Sequence, residues 1–285
     1  MSKYIIPKPK KLYDVNIESL LSDFCDFKNK NLIFFDIETI GLSSYKDYEQ
    51  ILQISAWCVD GNSFEKKEEF DLKVKLSEAT SFFLSGIDKT QMLNWKRRQK
   101  RRGSILNDPN NILKITNYHN LKISEKCEKE SLYDFCNFIR KYENSILIAH
   151  NIDFDLKFIT SRCKFHNIRF TTFNALDTLK ISQFFFAPLV QTLSKTDSEF
   201  GMYMNTLVGL SKTHKHISSK LGHLAIALGH SSDNWHTASA DVEMMFYVFT
   251  KIIKILRKYK NTDISFAQKN TIDKTQNKRK TLSRD

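Results

Sequence analysis

Two carboxylates interrupt an apolar run in the first part of the chain. The segment "NLIFFDIETIGL", residues 31–42, carries Asp36 and Glu38 one residue apart. Residues i and i+2 of a β-strand point to the same face, so the spacing predicts that these carboxylates lie side by side. Like charges at that distance repel, and a divalent cation between them would relieve the repulsion. Carboxylate oxygens suit Mg²⁺ or Mn²⁺. The alternative is a polar strand end that faces water.

Two later segments supply further acidic side chains. In "LIAHNIDFDLKF", Asp153 and Asp155 begin a predicted helix, where the helix dipole favours acids. That explanation suits Asp153 better than Asp155, which is followed by an apolar helical face. In "HTASADVEMMF", Asp241 shares its helical spacing with Met245 and Val248, which places it on or beside an apolar stripe. No basic residue lies one turn away, so metal coordination is predicted for Asp241.

Histidines near these acids are candidates for proton transfer or metal binding. His236 precedes Asp241 by five residues, and an imidazole with a near-neutral pKa can accept a proton in catalysis. A lone histidine before a helix is also typical of a cap or a surface residue. Four other histidines, at spacings that match no common zinc pattern, are interpreted as solvated or capping residues: His214, His216, His223 and His230.

The order of predicted elements indicates an α/β fold. Three strands come first, in "LIFFDI", "QILQISAWCVD" and "EEFDLKVKL", and "GN" between the last two is typical of a hairpin turn. Helices then alternate with the strands "SILIA" and "RFTTFNALDT", and a long amphipathic helix follows "HTASAD". Successive antiparallel strands followed by helix–strand alternation predict a mixed sheet with helices packed against it.

Composition narrows the classes of partner and compartment. The 285-residue chain carries a formal net charge of +12, which favours nucleic acid or another anionic partner; a lysine-rich surface that serves solubility is the alternative. Five cysteines without a C-x-x-C pair indicate neither a disulfide framework nor a zinc site. No secretory leader and no apolar stretch of about 18 residues occurs. We therefore expect a cytoplasmic protein with no membrane partner, or a nuclear one in a eukaryotic host.

Taken in order, the three acidic segments resemble a known family. "FFDIETIGL" is similar to the first motif of the DnaQ-like 3′→5′ exonucleases, "IAHNIDFDLKFI" to the second, and "HTASAD" to the third motif of the DEDDh subgroup. The resemblance covers about residues 31–255. It implies a ribonuclease H-like fold, which is a mixed five-stranded α/β sheet flanked by helices. It also implies an enzyme, a phosphodiester hydrolase that releases nucleoside 5′-monophosphates.

The resemblance assigns roles to individual residues. It implies that two divalent cations, Mg²⁺ or Mn²⁺, are held by four carboxylates: Asp36, Glu38, Asp155 and Asp241. It implies that His236 is the general base, and it leaves Asp177 outside the catalytic set. It further implies substrate contacts from the segments around the first two motifs: Thr39, Leu42, His150, Asn151 and Phe154. Core packing and turn chemistry are the alternative for His150, Asn151 and Phe154.

A basic insertion separates this chain from compact members of the family. About 40 residues stand between "SGIDKTQML" and "SLYDFCNFI", and they carry six cations: Lys96, Arg97, Arg98, Lys100, Arg101 and Arg102. A basic loop with aromatic residues suits a single-stranded substrate; a solvated charge run or a nuclear-targeting signal is the alternative. The predicted organisation is an N-terminal extension at 1–30, an exonuclease domain at 31–260 with the insertion at about 94–128, and a basic disordered tail at 261–285.

Three functions remain open at this point. The first is a metal-dependent 3′→5′ exonuclease on single-stranded DNA, with a polymerase or other replication protein as partner. The second is an exoribonuclease of the ribonuclease T or oligoribonuclease kind. The third is a non-catalytic nucleic-acid-binding module or polymerase accessory subunit. The presence of all four acids and His236 favours an enzyme. The amino-acid sequence of the first motif and the long insertion favour DNA over RNA.

Overall fold

The computed structural model describes residues 27–41, 49–85, 125–142, 144–171, 174–186, 188, 192, 219–230 and 237–262. Most of the predicted extension, insertion and tail therefore lies outside the described residues, as do Leu42 and His236. The chain divides into a compact unit of residues Asn29–Lys251 and a second unit formed by Met1–Lys28 and Ile252–Asp285. All of the residues discussed below as a candidate site belong to Asn29–Lys251.

Five strands form one mixed sheet. They are β1 (Asn31–Ile40), β2 (Gln50–Asp60), β3 (Lys66–Lys73), β4 (Ser145–Ala149) and β5 (Asn174–Asp177), in the order β3-β2-β1-β4-β5. β2 is antiparallel to both β1 and β3, whereas β4 is parallel to both β1 and β5. β1 therefore lies at the centre of the sheet, which explains why its sequence is a nearly continuous apolar run.

Six α-helices accompany the sheet within the described residues. They are α1 (Glu78–Ser85), α2 (Glu128–Arg140), α3 (Ile152–Phe165), α4 (Thr178–Ile181), α5 (Leu221–Ala227) and α6 (Ala238–Thr262). A π-helical turn, Ser182–Phe186, follows α4 directly. No helix among these residues is long and apolar enough to cross a membrane.

Aromatic side chains fix which helix covers which face of the sheet. Phe34 of β1 packs edge-on against Phe246 and Phe249 of α6, with ring centroids 5.3 and 5.2 Å apart. The next residue, Phe35, points to the opposite face and contacts Phe135 of α2 at 5.8 Å. Since alternate strand residues share a face, the face that carries Asp36 and Glu38 is the one that α6 covers.

The structure confirms the predicted fold class and refines two elements. Among the described residues, the fifth strand covers only Asn174–Asp177 of the predicted "RFTTFNALDT", and these four residues pair with Ile146–Ala149 of β4. The predicted hairpin between β2 and β3 is present, but its loop is longer than the "GN" dipeptide. The Asp60 carboxylate accepts backbone hydrogen bonds from Asn62 and Ser63, and Phe64 adopts the left-handed φ of 60°.

Candidate active site

Strand β1 presents Asp36 and Glu38 beside each other, opposite Ser55 and Gln53 of β2. A β-bulge follows directly, because Glu38 pairs with Gln53 but Thr39 pairs with Ile51. Bulges are common next to active sites, where they end a regular ladder and redirect the side chains that follow. The bulge here lies at the end of β1 that carries both carboxylates.

Helix α6 brings Asp241 to the same place. The Asp241 N–H donates to the Thr237 carbonyl oxygen at 2.9 Å in the first turn of the helix, and Val242 and Met245 are buried. One carboxylate oxygen each from Asp36, Glu38 and Asp241 lies within 4.8 Å of the other two. Residues more than 200 positions apart in sequence thus form one acidic cluster.

Helix α3 contributes the fourth carboxylate. Asp155 is 3% exposed, and its carboxylate accepts a hydrogen bond from the backbone N–H of Ile37, the residue between Asp36 and Glu38. Asp153, two residues earlier, is exposed and forms an ion pair of 2.6 Å with Lys180. The structure therefore separates the two acids of this motif, one against the strand and the other at the surface.

The four carboxylates are withdrawn from water to different degrees, since Asp155 is buried and Asp36, Glu38 and Asp241 are half-buried, and this partial burial changes their acidity. Burial, and to a lesser degree the charge of Asp241, raises the pKa of Asp36 well above its usual value. The same two causes raise the pKa of Glu38 from 4.5 to about 8. Burial raises the pKa of Asp155 well above its usual value and that of Asp241 to about 7. A cation bound among them would favour the ionised forms, so protons and cations compete for this cluster.

The donor set fits divalent cations with a preference for oxygen ligands. No lysine or arginine in the described ranges forms an ion pair with Asp36, Glu38, Asp155 or Asp241. Buried carboxylates without a basic partner are costly unless a metal or a proton neutralises them. The four side chains supply only oxygen, which is what Mg²⁺, Mn²⁺ and Ca²⁺ select.

The loop between β4 and α3 is held by a second group of polar contacts. The His150 Nδ1 lies 3.0 Å from the Thr178 hydroxyl and its Nε2 lies 3.0 Å from the Ser219 carbonyl oxygen. Burial lowers the pKa of His150. Asn151 adopts a left-handed conformation with a φ of 74°, and its N–H donates to Asp177 at 3.1 Å. Asp177 also accepts from Leu179 N–H at 2.9 Å, so it joins the starts of α3 and α4.

The segment after Glu38 turns sharply. The Thr39 hydroxyl donates to the Gly41 carbonyl oxygen at 3.1 Å, and Gly41 has a φ of +90°. A Cβ on Gly41 would lie 2.3 Å from the Glu49 side chain, so both the backbone conformation and the available space require glycine. Phe154, another predicted substrate contact, is half-buried and packs against Phe158 with ring centroids 6.0 Å apart.

A buried ion pair that the sequence analysis did not predict is hydrogen-bonded to β2 at the bulge. Arg162 of α3 and Glu128 of α2 are 3% and 7% exposed, and Arg162 Nη2 lies 2.6 Å from the Glu128 carboxylate. Glu128 also accepts from the N–H of Ile51, at the bulge, at 2.8 Å. Burial opposes ionisation of Glu128, but hydrogen bonds from His166, Arg162 and Ile51 hold its pKa below the usual value. In sequence, Glu128 has the pattern of an ordinary helix-start acid.

A comparison with protein families decides the class. The sequence profile of the family described as "DNA polymerase family B, exonuclease domain" matches residues 13–204, more than half of the chain. The chain belongs to this family. The predicted DnaQ-like membership and exonuclease class are confirmed at that level. The matched region contains Asp36, Glu38 and Asp155 and ends before Asp241, so the family match does not cover the third motif.

Sequence relatives are much longer than this chain. The "DNA polymerase III PolC-type" of Pediococcus pentosaceus is 28% identical over 211 residues, which is 71% of this chain and 12% of that protein. The protein of the same name from Staphylococcus saprophyticus is 25% identical over 233 residues, 81% of this chain and again 12% of the relative. The chain thus spans about an eighth of the length of the curated relatives it matches.

Solved structures share the fold of this exonuclease-family chain. The nuclease domain of 3'hExo, described as a DEDDh family member bound to rAMP, superposes with a TM-score of 0.50 at 11% identity, over 79% of this chain and 92% of that domain. Cell-death related nuclease 4 superposes with a TM-score of 0.51 at 11% identity, over 80% of this chain and 66% of the other. The predicted ribonuclease H-like fold is confirmed.

Proposed function

We propose that this chain is a 3′→5′ exonuclease that releases nucleoside 5′-monophosphates from single-stranded DNA and requires divalent cations. One observation carries the proposal: carboxylate oxygens of Asp36, Glu38 and Asp241 lie within 4.8 Å of one another. The hydrogen bond from Ile37 N–H to Asp155 adds the fourth acid to the same strand end. A catalytically silent binding module would have no need for this acidic cluster, in which Asp155 is buried and Asp36, Glu38 and Asp241 are half-buried, because like charges held this close repel one another.

Two divalent cations, Mg²⁺ or Mn²⁺, would be held by Asp36, Glu38, Asp155 and Asp241. When bound, such ions neutralise charge on a phosphodiester and lower the pKa of the attacking water. The protein's own part is to hold these oxygens in place from three elements, β1, α3 and α6. His236, five residues before Asp241, would take the proton of the attacking water, because a histidine of near-neutral pKa is suited to general-base work.

Substrate contacts are proposed on the segments that border the acids. The backbone around Thr39 would meet the terminal nucleotide, and Leu42 would contact the last bases. Asn151 is exposed and Phe154 is half-buried at the start of α3, so both are available to line the site. His150 has both ring nitrogens within 3.0 Å of protein oxygens, and it would therefore shape the site rather than donate to the substrate.

The names of the relatives favour DNA as substrate and a polymerase as partner. Both curated relatives are named as DNA polymerases, and the matched family is described as the exonuclease domain of a DNA polymerase family. We therefore place single-stranded DNA ahead of RNA, and a polymerase or another replication protein ahead of other partners. An exoribonuclease remains the alternative outcome of the test below.

The decisive measurement compares end-labelled single-stranded DNA and RNA of the same sequence. We expect stepwise shortening of 5′-labelled DNA with Mg²⁺ or Mn²⁺, no reaction in EDTA, and slower or no shortening of RNA. A 3′-phosphorylated oligonucleotide is a useful control, because an enzyme that reads a free 3′ end should process it poorly. Preferential shortening of RNA would identify an exoribonuclease, and binding without hydrolysis under any cation would identify a silent module.

The basic run from Lys96 to Arg102, outside the described residues, should hold the substrate strand away from the cleaved end. Adjacent side chains of a peptide segment cannot all face one strand, so we expect about three of the six cations to meet phosphates, each contributing about −0.7 to the slope of log K against log salt. Replacing all six with Gln should flatten that slope by about two units. The measurement is binding of a ~20-mer by metal-free protein across a salt series.

Turnover of a dinucleotide is the control for this prediction. If the insertion holds only the strand away from the cleaved end, a dinucleotide does not use it, and the variant with all six Gln substitutions should cleave a dinucleotide at the rate of the unmodified protein. An unchanged salt slope would indicate a solvated charge run or a targeting signal instead. An equal loss on long and short substrates would mean that the insertion shapes the active site itself.

A further inference from the structure

Gln53 of β2 is a buried amide that joins three separate segments. Gln53 is 4% exposed to solvent. The amide nitrogen donates to the Asp71 carboxylate of β3 at 2.8 Å, and the amide oxygen accepts from the backbone N–H of Ala238 at 3.3 Å. A carboxylate only accepts and an N–H only donates, so a single orientation of the amide satisfies both partners.

The position of this contact connects it to the acidic cluster. Gln53 pairs directly with Glu38 across β1 and β2, and Ala238 is the first residue of α6. The N–H groups of the first helical turn have no partner within their own helix. Gln53 satisfies the N–H of Ala238, while the Thr237 hydroxyl accepts from Ala240 N–H at 3.3 Å. The start of α6 is thus attached to the strand residue opposite Glu38.

We propose that Gln53 is a positioning residue for hydrolysis, which keeps the start of α6, and with it Asp241, in place relative to Glu38. The inference rests on the function proposed above. Ala238 stands three residues before Asp241 in the first turn of the same helix, so a shift at Ala238 would move Asp241. Displacements of about 1 Å in an active site commonly reduce rates on the order of 10²-fold.

The chemistry of the site also explains why a neutral amide suits this position. A carboxylate at residue 53 would place another negative charge next to Glu38 and would face Asp71 without a proton to share. An apolar side chain would leave the buried N–H of Ala238 unsatisfied, which is costly. Asp71 holds the amide nitrogen, so that the amide oxygen is directed at the helix start.

The test uses Gln53→Met, which keeps the shape and removes both hydrogen bonds. We expect kcat on single-stranded DNA to fall by about 10- to 100-fold, with KM little changed, because the contact places catalytic groups and does not touch the substrate. The concentration of Mn²⁺ that gives half of the cation-induced rise in thermal midpoint should increase, because Asp241 is held less firmly. That second readout measures the carboxylate cluster without any substrate.

Gln50→Met is the matched control. Gln50 is on the same strand and is 1% exposed. Its amide donates to the Lys75 carbonyl at 3.0 Å and accepts from the Ser77 N–H at 2.8 Å, and among the described residues it forms no hydrogen bond with α6. Gln50→Met should lower thermal stability to a similar degree as Gln53→Met and leave kcat and the Mn²⁺ midpoint unchanged. An equal loss of activity in both variants would mean that Gln53 contributes to stability alone, and the inference would be wrong.

A reciprocal exchange tests the orientation of the amide. Gln53→Glu keeps an acceptor for Ala238 but loses the donor to Asp71 and adds a charge. Asp71→Asn in the same chain supplies an amide that can donate to the new carboxylate and restores the net charge, although the charge now lies at residue 53 beside Glu38, so the double variant should recover part of the kcat that Gln53→Glu loses. Absence of recovery would contradict the inference.

The two proposals fail in different ways. If the unmodified protein hydrolyses neither DNA nor RNA, the proposed function is wrong, and the Mn²⁺ midpoint still reports whether Gln53 positions the carboxylates. If the unmodified protein is active and Gln53→Met retains its kcat and its Mn²⁺ midpoint, the role of Gln53 is wrong and the proposed function stands.

Discussion

Asp36→Asn should abolish hydrolysis of single-stranded DNA while the protein stays folded. Asp36 belongs to the acidic cluster, with an oxygen within 4.8 Å of oxygens of Glu38 and Asp241. The amide keeps the shape of the side chain but removes its charge and one of its two acceptor oxygens. Because carboxylates are the ligands proposed here for the divalent cations, the loss should exceed the effect of any single contact with the substrate. Asp241→Asn should behave in the same way.

The same change should stabilise the protein when no cation is present. Carboxyl groups of an unfolded chain ionise near pH 4, whereas burial raises the pKa of Glu38 to about 8 and that of Asp241 to about 7 in the folded protein. Their contribution to stability is fully present below about pH 4 and is lost as the pH rises through these folded values. Removing the charge of Asp36 reduces that loss.

Thermal midpoints measured in EDTA at about pH 5 and about pH 8 test whether Asp36→Asn stabilises the cation-free protein. Asp36→Asn should melt above the unmodified protein at the higher pH, and the difference should shrink at the lower one. Adding Mn²⁺ should raise the midpoint of the unmodified protein more than that of the variant. Asp153→Asn is the matched control, since Asp153 is exposed and paired with Lys180, and it should leave activity unchanged. Near-normal hydrolysis by Asp36→Asn would contradict the metal-dependent mechanism.

His236→Ala should lower kcat by roughly 10²- to 10⁴-fold, the usual effect of removing a positioned acid–base group. Binding of the cation should change little, because the four carboxylates remain. The pH–rate profile of the unmodified protein should rise near neutrality as the base loses its proton, and this rise should be absent in the variant. Rates measured under saturating Mg²⁺ across the pH range, beside the Mn²⁺-induced shift in thermal midpoint, separate the two effects.

His230→Gln is the control for the loss of a histidine. The His230 ring packs on Tyr247 at a centroid distance of 4.7 Å, and no role in hydrolysis is proposed for it. The variant should keep both the rate and the pH profile of the unmodified protein. If His236→Ala retained the ascending limb and the rate, the general base would be another group. If it lost cation binding as well, His236 would act on the carboxylate cluster instead of on water.

Much of the fold follows from local patterns in the sequence. β1 was predictable because a strand buried on both faces reads as a continuous apolar run, and α6 because Val242, Met245 and Val248 recur at helical spacing. The juxtaposition of Asp36 and Glu38 was predictable for a similar reason. The two-residue period of a strand is local geometry, and it places both carboxylates on one face whatever the rest of the chain does.

The pairing of distant segments could not be read in the same way. The bulge opposite Thr39 depends on how β2 aligns with β1, and neither strand alone contains that alignment. The fourth acid joins the cluster through a hydrogen bond from the Ile37 backbone to Asp155. Almost every residue has a backbone N–H, so the sequence does not show which one a carboxylate will contact. The motifs predicted which acids to examine, and the position of α3 in the folded chain determines how Asp155 reaches them.

The buried polar side chains around the site are the part of the structure that the sequence predicts least well. Gln53 and Ala238 are 185 residues apart, and the Glu128–Arg162 pair spans 34 residues; in the sequence these polar residues have the pattern of ordinary surface positions. Apolar periodicity reveals burial because many residues must share one face, whereas a single buried polar group obeys no period. Its partner is settled only when strands and helices pack, since the cost of leaving it unpaired arises after water has been excluded.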